Sequence, residues 1–227
     1  MRSRNVQFQA GGLRPVARFY PFMDGIAGID VVPKLLEVSM VSGTFNVGEK
    51  VEGFVGSEKL ITFRTAQPDH KDGPYNAPTI TYNANPYNTS ESFSTQYSAS
   101  GTTLNVDTRS LSANAQGTYF GYVTTGMSLV GADSGATATV TDVRLVADTF
   151  GDLIGTFFIR DPNTSPPPTV RIKTGDRTFR VSTSISDAEQ LPGSLIISHG
   201  EGIYSASGIV ETFREDTVCL LYTSPSP

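Results

Sequence analysis

The sequence is poor in the residue types that most often carry chemistry. Among 227 residues there is one cysteine, Cys219, no tryptophan, and two histidines, His70 and His199. A single cysteine excludes an internal disulfide and any multi-cysteine metal site. Neither histidine has a cysteine or a second histidine at a spacing that suits zinc, and His199 in "SHGEG" reads as a turn residue. Charge is sparse as well, with 17 basic against 22 acidic residues and a net charge of -5. No cationic field is available to hold a phosphate backbone, so nucleic acid is not an expected partner. No apolar run approaches the roughly 18 residues that a membrane helix needs; "LIGTFFI" and "SLIIS" are strand-sized. Arginines open the chain in "MRSRNVQFQ", but no apolar stretch stands behind them, so no secretory signal is visible. Without a secretory route, the sequons at Asn88 and Asn163 carry no meaning.

Helical stripes are scarce too. Only "PKLLEVSMV" and "SDAEQL" would make a helical turn or two. What fills the chain instead is alternation. "TLNVD" (Thr103 to Asp107), "ATATVTDVRLV" (Ala136 to Val146) and "RTFRVST" (Arg177 to Thr183) alternate apolar with polar residues, as half-buried strands do. Thr, Val, Ile, Phe and Tyr dominate these runs and suit a pleated surface. With 13 Phe and 9 Tyr the chain has ample material for packed cores. Turn pairs recur: Asp24-Gly25, Ser42-Gly43, Asp72-Gly73, Ser134-Gly135 and Thr174-Gly175. The expected fold is all-β, built from several small antiparallel barrel- or sandwich-like modules joined by Pro/Asn-rich loops.

Composition divides the chain further. A first module with the FMDG turn covers 1–65. Residues 66–92, "AQPDHKDGPYNAPTITYNANPYNTSES", form a Pro/Asn/Tyr-rich loop or linker too long for an ordinary connection, with "TITY" its one strand candidate. A second module covers 93–161, and Pro166-Pro167-Pro168 stiffen a linker at 162–170. A third module, 171–217, looks incomplete. The ending 218–227, "VCLLYTSPSP", resembles translated adapter read-through, so the natural chain is expected to continue differently after about Thr217, and Met1 is either the true start or an internal methionine. Within the first two modules "VGEKVEGFVGS" echoes "TTGMSLVGADSGA". Both carry Gly-x-x-apolar-x-Gly, with Gly48 and Gly53 against Gly126 and Gly131. Either these are related hairpins whose glycines supply turn or bulge geometry, or they are two ordinary hairpins.

The familiar catalytic patterns are missing. There is no phosphate-binding Gly-x-x-x-x-Gly-Lys loop and no Gly-x-Ser-x-Gly elbow. "GEGIYS" (Gly200 to Ser205) matches a dinucleotide fingerprint only in its first two glycines, with no helix-forming sequence behind them. A glycosidase would need two carboxylates across a cleft. Glu49 and Glu52 flank a strand that reads as solvated, and Asp69 and Asp72 sit where turns favour Asp. Asp69, Asp72 and Asn76 depart from the ordered spacing of a calcium loop. Accordingly no catalytic, metal-binding or cofactor residue is assigned. Tyr75, Tyr82 and Tyr87 are the candidates for a contact loop, including contact with a host-surface glycan.

Heavy punctuation marks "GLRPVARFYPFMDGIAGIDVVPK" (Gly12 to Lys34). Pro21 lacks a donor and belongs at an edge or bend, and Asp24-Gly25 reverses the chain, so this stretch is architecture. It also carries a resemblance. "RSRNVQFQAGGLRPVARFYPFMDGI", "SGTFNVGEKVEGFV", "ITFRTAQPDHKDGPYNAPT", "YSASGTTLNVDT", "TGMSLVGADSGATATVTDVRLV" and "IGTFFIRDP" together resemble virion structural proteins of tailed phages, notably the myoviruses of marine cyanobacteria. Met23 stands where that pattern prefers Phe, and Val16-Ala17 where it has Asn-Thr. The resemblance implies a tail, baseplate or fibre-associated part of a virion, assembled in the host cytoplasm, whose partners are other virion subunits or copies of itself. It brings no catalytic residues. A carbohydrate-binding or depolymerising tailspike or adhesin module is the alternative function.

Overall fold

The computed structural model describes residues 3–113, 117–164, 167–188 and 197–206. Strands make up nearly all of the regular structure, as the alternation predicts. In chain order they are β1 (Arg4–Ala10), β2 (Arg18–Met23), β3 (Ile26–Ala27), β4 (Asp30–Pro33), β5 (Leu35–Ser42), β6 (Lys50–Val55), β7 (Glu58–Arg64), β8 (His70–Asp72), β9 (Ile80–Thr81) and β10 (Thr103–Asn105). A short helix, α1 (Thr108–Ala113), leads to β11 (Phe120–Gly121), β12 (Ser128–Gly131), β13 (Thr137–Asp142), β14 (Leu145–Val146), β15 (Leu153–Ile159), β16 (Gly175–Ser182) and β17 (His199–Ala206).

Two hydrophobic cores organise these strands. The first belongs to a curled seven-stranded sheet of order β10-β5-β13-β12-β6-β7-β11. An isolated bridge from Thr65 to Val106 ties the end of β7 to the end of β10, so the sheet curls back on itself. Its interior holds Leu36, Val51, Phe63, Leu104, Met127 and Leu129. The second core lies between a three-stranded sheet, β1-β15-β4, and a further sheet, β14-β2-β16-β17, on which β3 pairs with β2. Phe19, Met23, Leu145, Phe157, Phe179 and Val181 fill it.

The two cores are not consecutive in sequence. β1 to β4 build the second core, the chain crosses at Pro33-Lys34 into the curled sheet, and it returns at Val143-Arg144 to β14 and β15. Strands from 1–65 and from 93–161 therefore share one sheet, and the curled sheet is inserted into the other unit. This crossing also splits the run Ala136 to Val146, read as one strand, into β13 and β14 in different sheets. "PKLLEVSMV" is strand rather than helical turn. Leu36 and Val38 point into the first core while Glu37 and Ser39 are only half-buried or exposed, a period of two. The one helix among the described residues arises where Asp107 caps it. Asp107 Oδ1 accepts the amide of Ser110 at 3.3 Å, as N-cap carboxylates do.

β15 joins the units. All of "LIGTFFI" is buried, as befits a central strand covered on both faces. Leu153, Phe157 and Ile159 face the second core. On the alternate face Thr156 accepts a hydrogen bond from Asn5 (3.1 Å) and Phe158 stacks on Tyr122 at 5.7 Å. Asn5 in turn mimics a strand, donating to Gly121 O (2.8 Å) and accepting from Gly121 N (2.9 Å).

The echoing hairpins sit side by side. β6 pairs with β12, β6 with β7 and β12 with β13, while β5 pairs with β13 and β11 with β7. Exchanging β5-β6-β7 with β11-β12-β13 leaves this pairing scheme unchanged, so the two halves of the curled sheet interlock about a local two-fold.

Candidate functional site

The expected turn residues are placed as follows. Asp24 (φ 50°) and Gly25 (φ 75°) form a two-residue turn with both central residues left-handed, joining β2 to β3. Asp24 does more than turn: its Oδ1 accepts the amide of Thr178 (3.0 Å) and its Oδ2 meets Arg177 (3.2 Å), docking the hairpin on β16. Gly48 and Gly126 occupy matching positions at φ 87° and 84°. Gly53 and Gly131 lie within β6 and β12, where a Cβ would come within 2.5 Å of Ile61 and Met127, and of Ser134, respectively. A register shift follows Gly53.

Glu49 corrects an expectation. It is buried, not solvated, and its carboxylate accepts the amides of Asn46 (2.6 Å), Asp133 (3.2 Å) and Ser134 (3.0 Å). It pins the loop after β12 to the start of β6. Glu52 stays at the surface, paired with Lys50 (3.3 Å) and Lys59 (3.2 Å). His199 opens β17 rather than forming a turn.

The tyrosine contact loop is a second correction. Residues 66–92 form a strap that turns its rings inward. Tyr82 is buried, and Tyr75 lies under the Arg64 guanidinium at 4.0 Å and against Gly48. The Tyr87 hydroxyl reaches the carbonyls of Leu35 (2.5 Å) and Arg144 (3.1 Å), one on each crossing between the units. Burial raises the hydroxyl pKa of Tyr82 well above its ordinary value and that of Tyr87 beyond the usual tyrosine range. These rings anchor the strap, Tyr82 buried and Tyr75 and Tyr87 half-buried. Sequence reasoning missed this because each partner lies far along the chain.

Beneath the strap are buried polar groups. Lys34 donates to Val106 O (2.7 Å), and burial, against attraction from Asp107 and Asp72, lowers its pKa to about 7. His70, also buried, contacts Gly73 O through Nε2 (3.0 Å); burial and then Lys34 lower its pKa. His70 Nδ1, Asp69 Oδ1 and Asn105 Oδ1 are buried without a protein hydrogen-bond partner. Of the three residues weighed for calcium, Asp72 is engaged by Arg109 at 2.6 Å and Asn76 is exposed. Among the described residues no cluster of three or more His, Cys, Asp or Glu has metal-binding geometry. Lys71 ends the strap's polar contacts, lying between Asp148 (2.6 Å) and Asp152 (2.5 Å).

The described residues also form concave surfaces, one of about 420 Å³ between residues 37–40 and 99–102. A polar groove of about 380 Å³ is lined by Ser90, Glu91, Phe93, Gln96, Ser98 and Thr102. A cleft of about 370 Å³ separates β1 from β17, with a mixed polar and apolar lining that includes Phe8, Gln9, Ala10, Phe179, Val181 and Glu201. Among the described residues β17 pairs with β16 alone, and Ile203 on it is 74% exposed. Comparison with known protein families, with characterised proteins and with solved structures finds no match to this chain.

Proposed function

We propose that the protein is a structural component of a tailed-phage virion, in the tail, baseplate or a fibre-associated position, and that it acts by protein–protein assembly. The sequence resemblance motivates this reading, and one structural observation carries it: among the described residues β17 offers a strand edge, an exposed Ile203 and an adjoining cleft. Such an edge supplies main-chain hydrogen bonds to an added strand, while alternate side chains give selectivity. Partners are other virion subunits or a further copy of the chain. Tyr75, Tyr82 and Tyr87 are engaged by partners within the fold, which favours assembly over the glycan-binding alternative.

Sedimentation velocity over a range of concentrations, with Cys219 kept reduced, tests the edge. The intact chain is expected to associate with concentration, and Ile203→Lys, which places a charge on the edge, to shift it toward monomer. Equal association by both proteins, or a monomer throughout that also fails to bind the other virion subunits, would remove β17 as the assembly surface.

A further inference from the structure

The most chemically organised cluster in the molecule is Lys71 with Asp148 and Asp152. Lys71 extends from β8 in the strap, and its side chain is 10% exposed. Its Nζ lies 2.6 Å from Asp148 Oδ2 and 2.5 Å from Asp152 Oδ2. Asp148 is the deeper carboxylate, with a side chain 4% exposed, whereas that of Asp152 is 41% exposed. The tight turn "DTFGD" directs two amides at the other oxygen of Asp148: Oδ1 accepts Phe150 N at 2.9 Å and Asp152 N at 3.0 Å. The rings of Phe150 and Tyr82 lie 5.6 and 5.9 Å from Nζ. An amine is thus held against a carboxyl group whose far oxygen is gripped by two amides, with a second carboxylate beside both.

That is more than an ion pair requires, and we infer that Lys71 and Asp148 are the reacting partners of an intramolecular isopeptide bond, with Asp152 as the proton carrier. A proton passes from Nζ through Asp152 to Oδ2, leaving a neutral amine and a neutral acid. The nitrogen lone pair forms the Nζ–Cγ bond, and the carbonyl electrons move onto Oδ1, where the amides of Phe150 and Asp152 stabilise the developing charge. A second proton travels from nitrogen through Asp152 to Oδ2, the Cγ–Oδ2 bond breaks, and Oδ2 leaves as water. The ammonium carried three hydrogens; the amide keeps one and the water takes two. Asp152 ends as it began, and no oxidant or cofactor is consumed. Holding the partners in contact supplies the high effective concentration that a condensation in water lacks. The ion pair slows the reaction without preventing it: burial opposes the Lys71 charge, but the hydrogen bonds Lys71 donates to both aspartates outweigh it and hold the pKa above the ordinary value. The product is a covalent staple between the strap and the turn before β15.

Intact-mass spectrometry of the folded full-length chain, followed by tandem analysis of its tryptic digest, tests this. The folded protein is expected to be lighter than its sequence by one water. The peptide 145–160 is expected to be joined through Asp148 to a peptide 65–109 that is uncleaved after Lys71. Lys71→Arg keeps the charge but has no amine to acylate, and is expected to show full sequence mass. Asp152→Asn keeps the turn but cannot carry protons, and is expected to link roughly a hundredfold more slowly. Water loss that persists in Lys71→Arg would indicate ring closure at Asp24-Gly25 or Asp72-Gly73 and overturn the inference. So would full sequence mass in the folded wild type after prolonged incubation.

Discussion

At the scale of single residues, the backbone at Val16 is under strain. A β-branched residue there has φ 51°, a region that costs a non-glycine side chain on the order of 1–2 kcal/mol. Its side chain is substantially exposed, so little packing offsets that cost. Val16→Asn is expected to raise stability by about 1 kcal/mol, read as a higher midpoint in urea; an unchanged or lower midpoint would show that the strain is relieved elsewhere. Gly25 presents the reverse case. Gly25→Val forces a β-branched side chain to positive φ and is expected to cost on the order of 1–3 kcal/mol, whereas Asp24→Asn retains an oxygen for the Thr178 amide and is expected to be nearly silent. Lys34 makes stability depend on pH. Its folded pKa of about 7 lies below its ordinary value, so the stability linked to it is complete above the unfolded pKa and is lost as pH falls through the folded one. Melting temperature is therefore expected to rise from pH 7 to 9, worth on the order of 2–4 kcal/mol. Lys34→Met is expected to flatten that rise. The same slope in both proteins would mean that Lys34 is not the titrating group. Above about pH 10 the buried Tyr82, Tyr87 and Tyr97, whose pKa values burial raises, reverse the trend.

At the scale of elements, Asn5 links β1 to β11 by two hydrogen bonds that a strand would otherwise make. Asn5→Ala leaves a buried N–H and C=O of Gly121 unpaired and is expected to cost about 2–4 kcal/mol; hydrogen exchange at Gly121 should rise by the corresponding factor, and unchanged protection would show that β11 is held by β7 alone. Much of this level was legible in sequence. Alternation located β10, β13 and β16, the Asp-Gly pair located the β2–β3 turn, and the glycine echo located two hairpins that prove to be neighbours. What was not legible depends on partners distant in sequence. Nothing local in "TVTDVRLV" says that the chain changes sheets at Val143-Arg144. The residues responsible are the Arg144 fork on Glu37, at 2.7 and 2.6 Å, and the Tyr87 hydroxyl that spans both crossings. Tyr75, Tyr82 and Tyr87 read as exposed because their neighbours in sequence are Pro, Asn and Asp, yet tertiary burial decides their role. "SASGIVETF", expected to be an unpaired edge, lies from residue 207 onward outside the described residues.

At the scale of the whole molecule, insertion of one unit into the other couples their folding. β5, β6 and β7 depend on β13, β12 and β11 for their partners, and β2 depends on β16. A fragment ending at residue 92 is expected to lack cooperative unfolding and the intact chain to unfold in one transition; a folded fragment would show that the interlock is dispensable. The proposal that the chain is a built-in part of a phage particle meets its sharpest test in quantitative mass spectrometry of gradient-purified particles from cells lysed by a phage carrying this gene. The account predicts peptides such as 145–160 at a constant ratio to the other structural proteins across the fractions that carry infectivity. Recovery of the chain only in the soluble lysate, with none in those fractions, would contradict it.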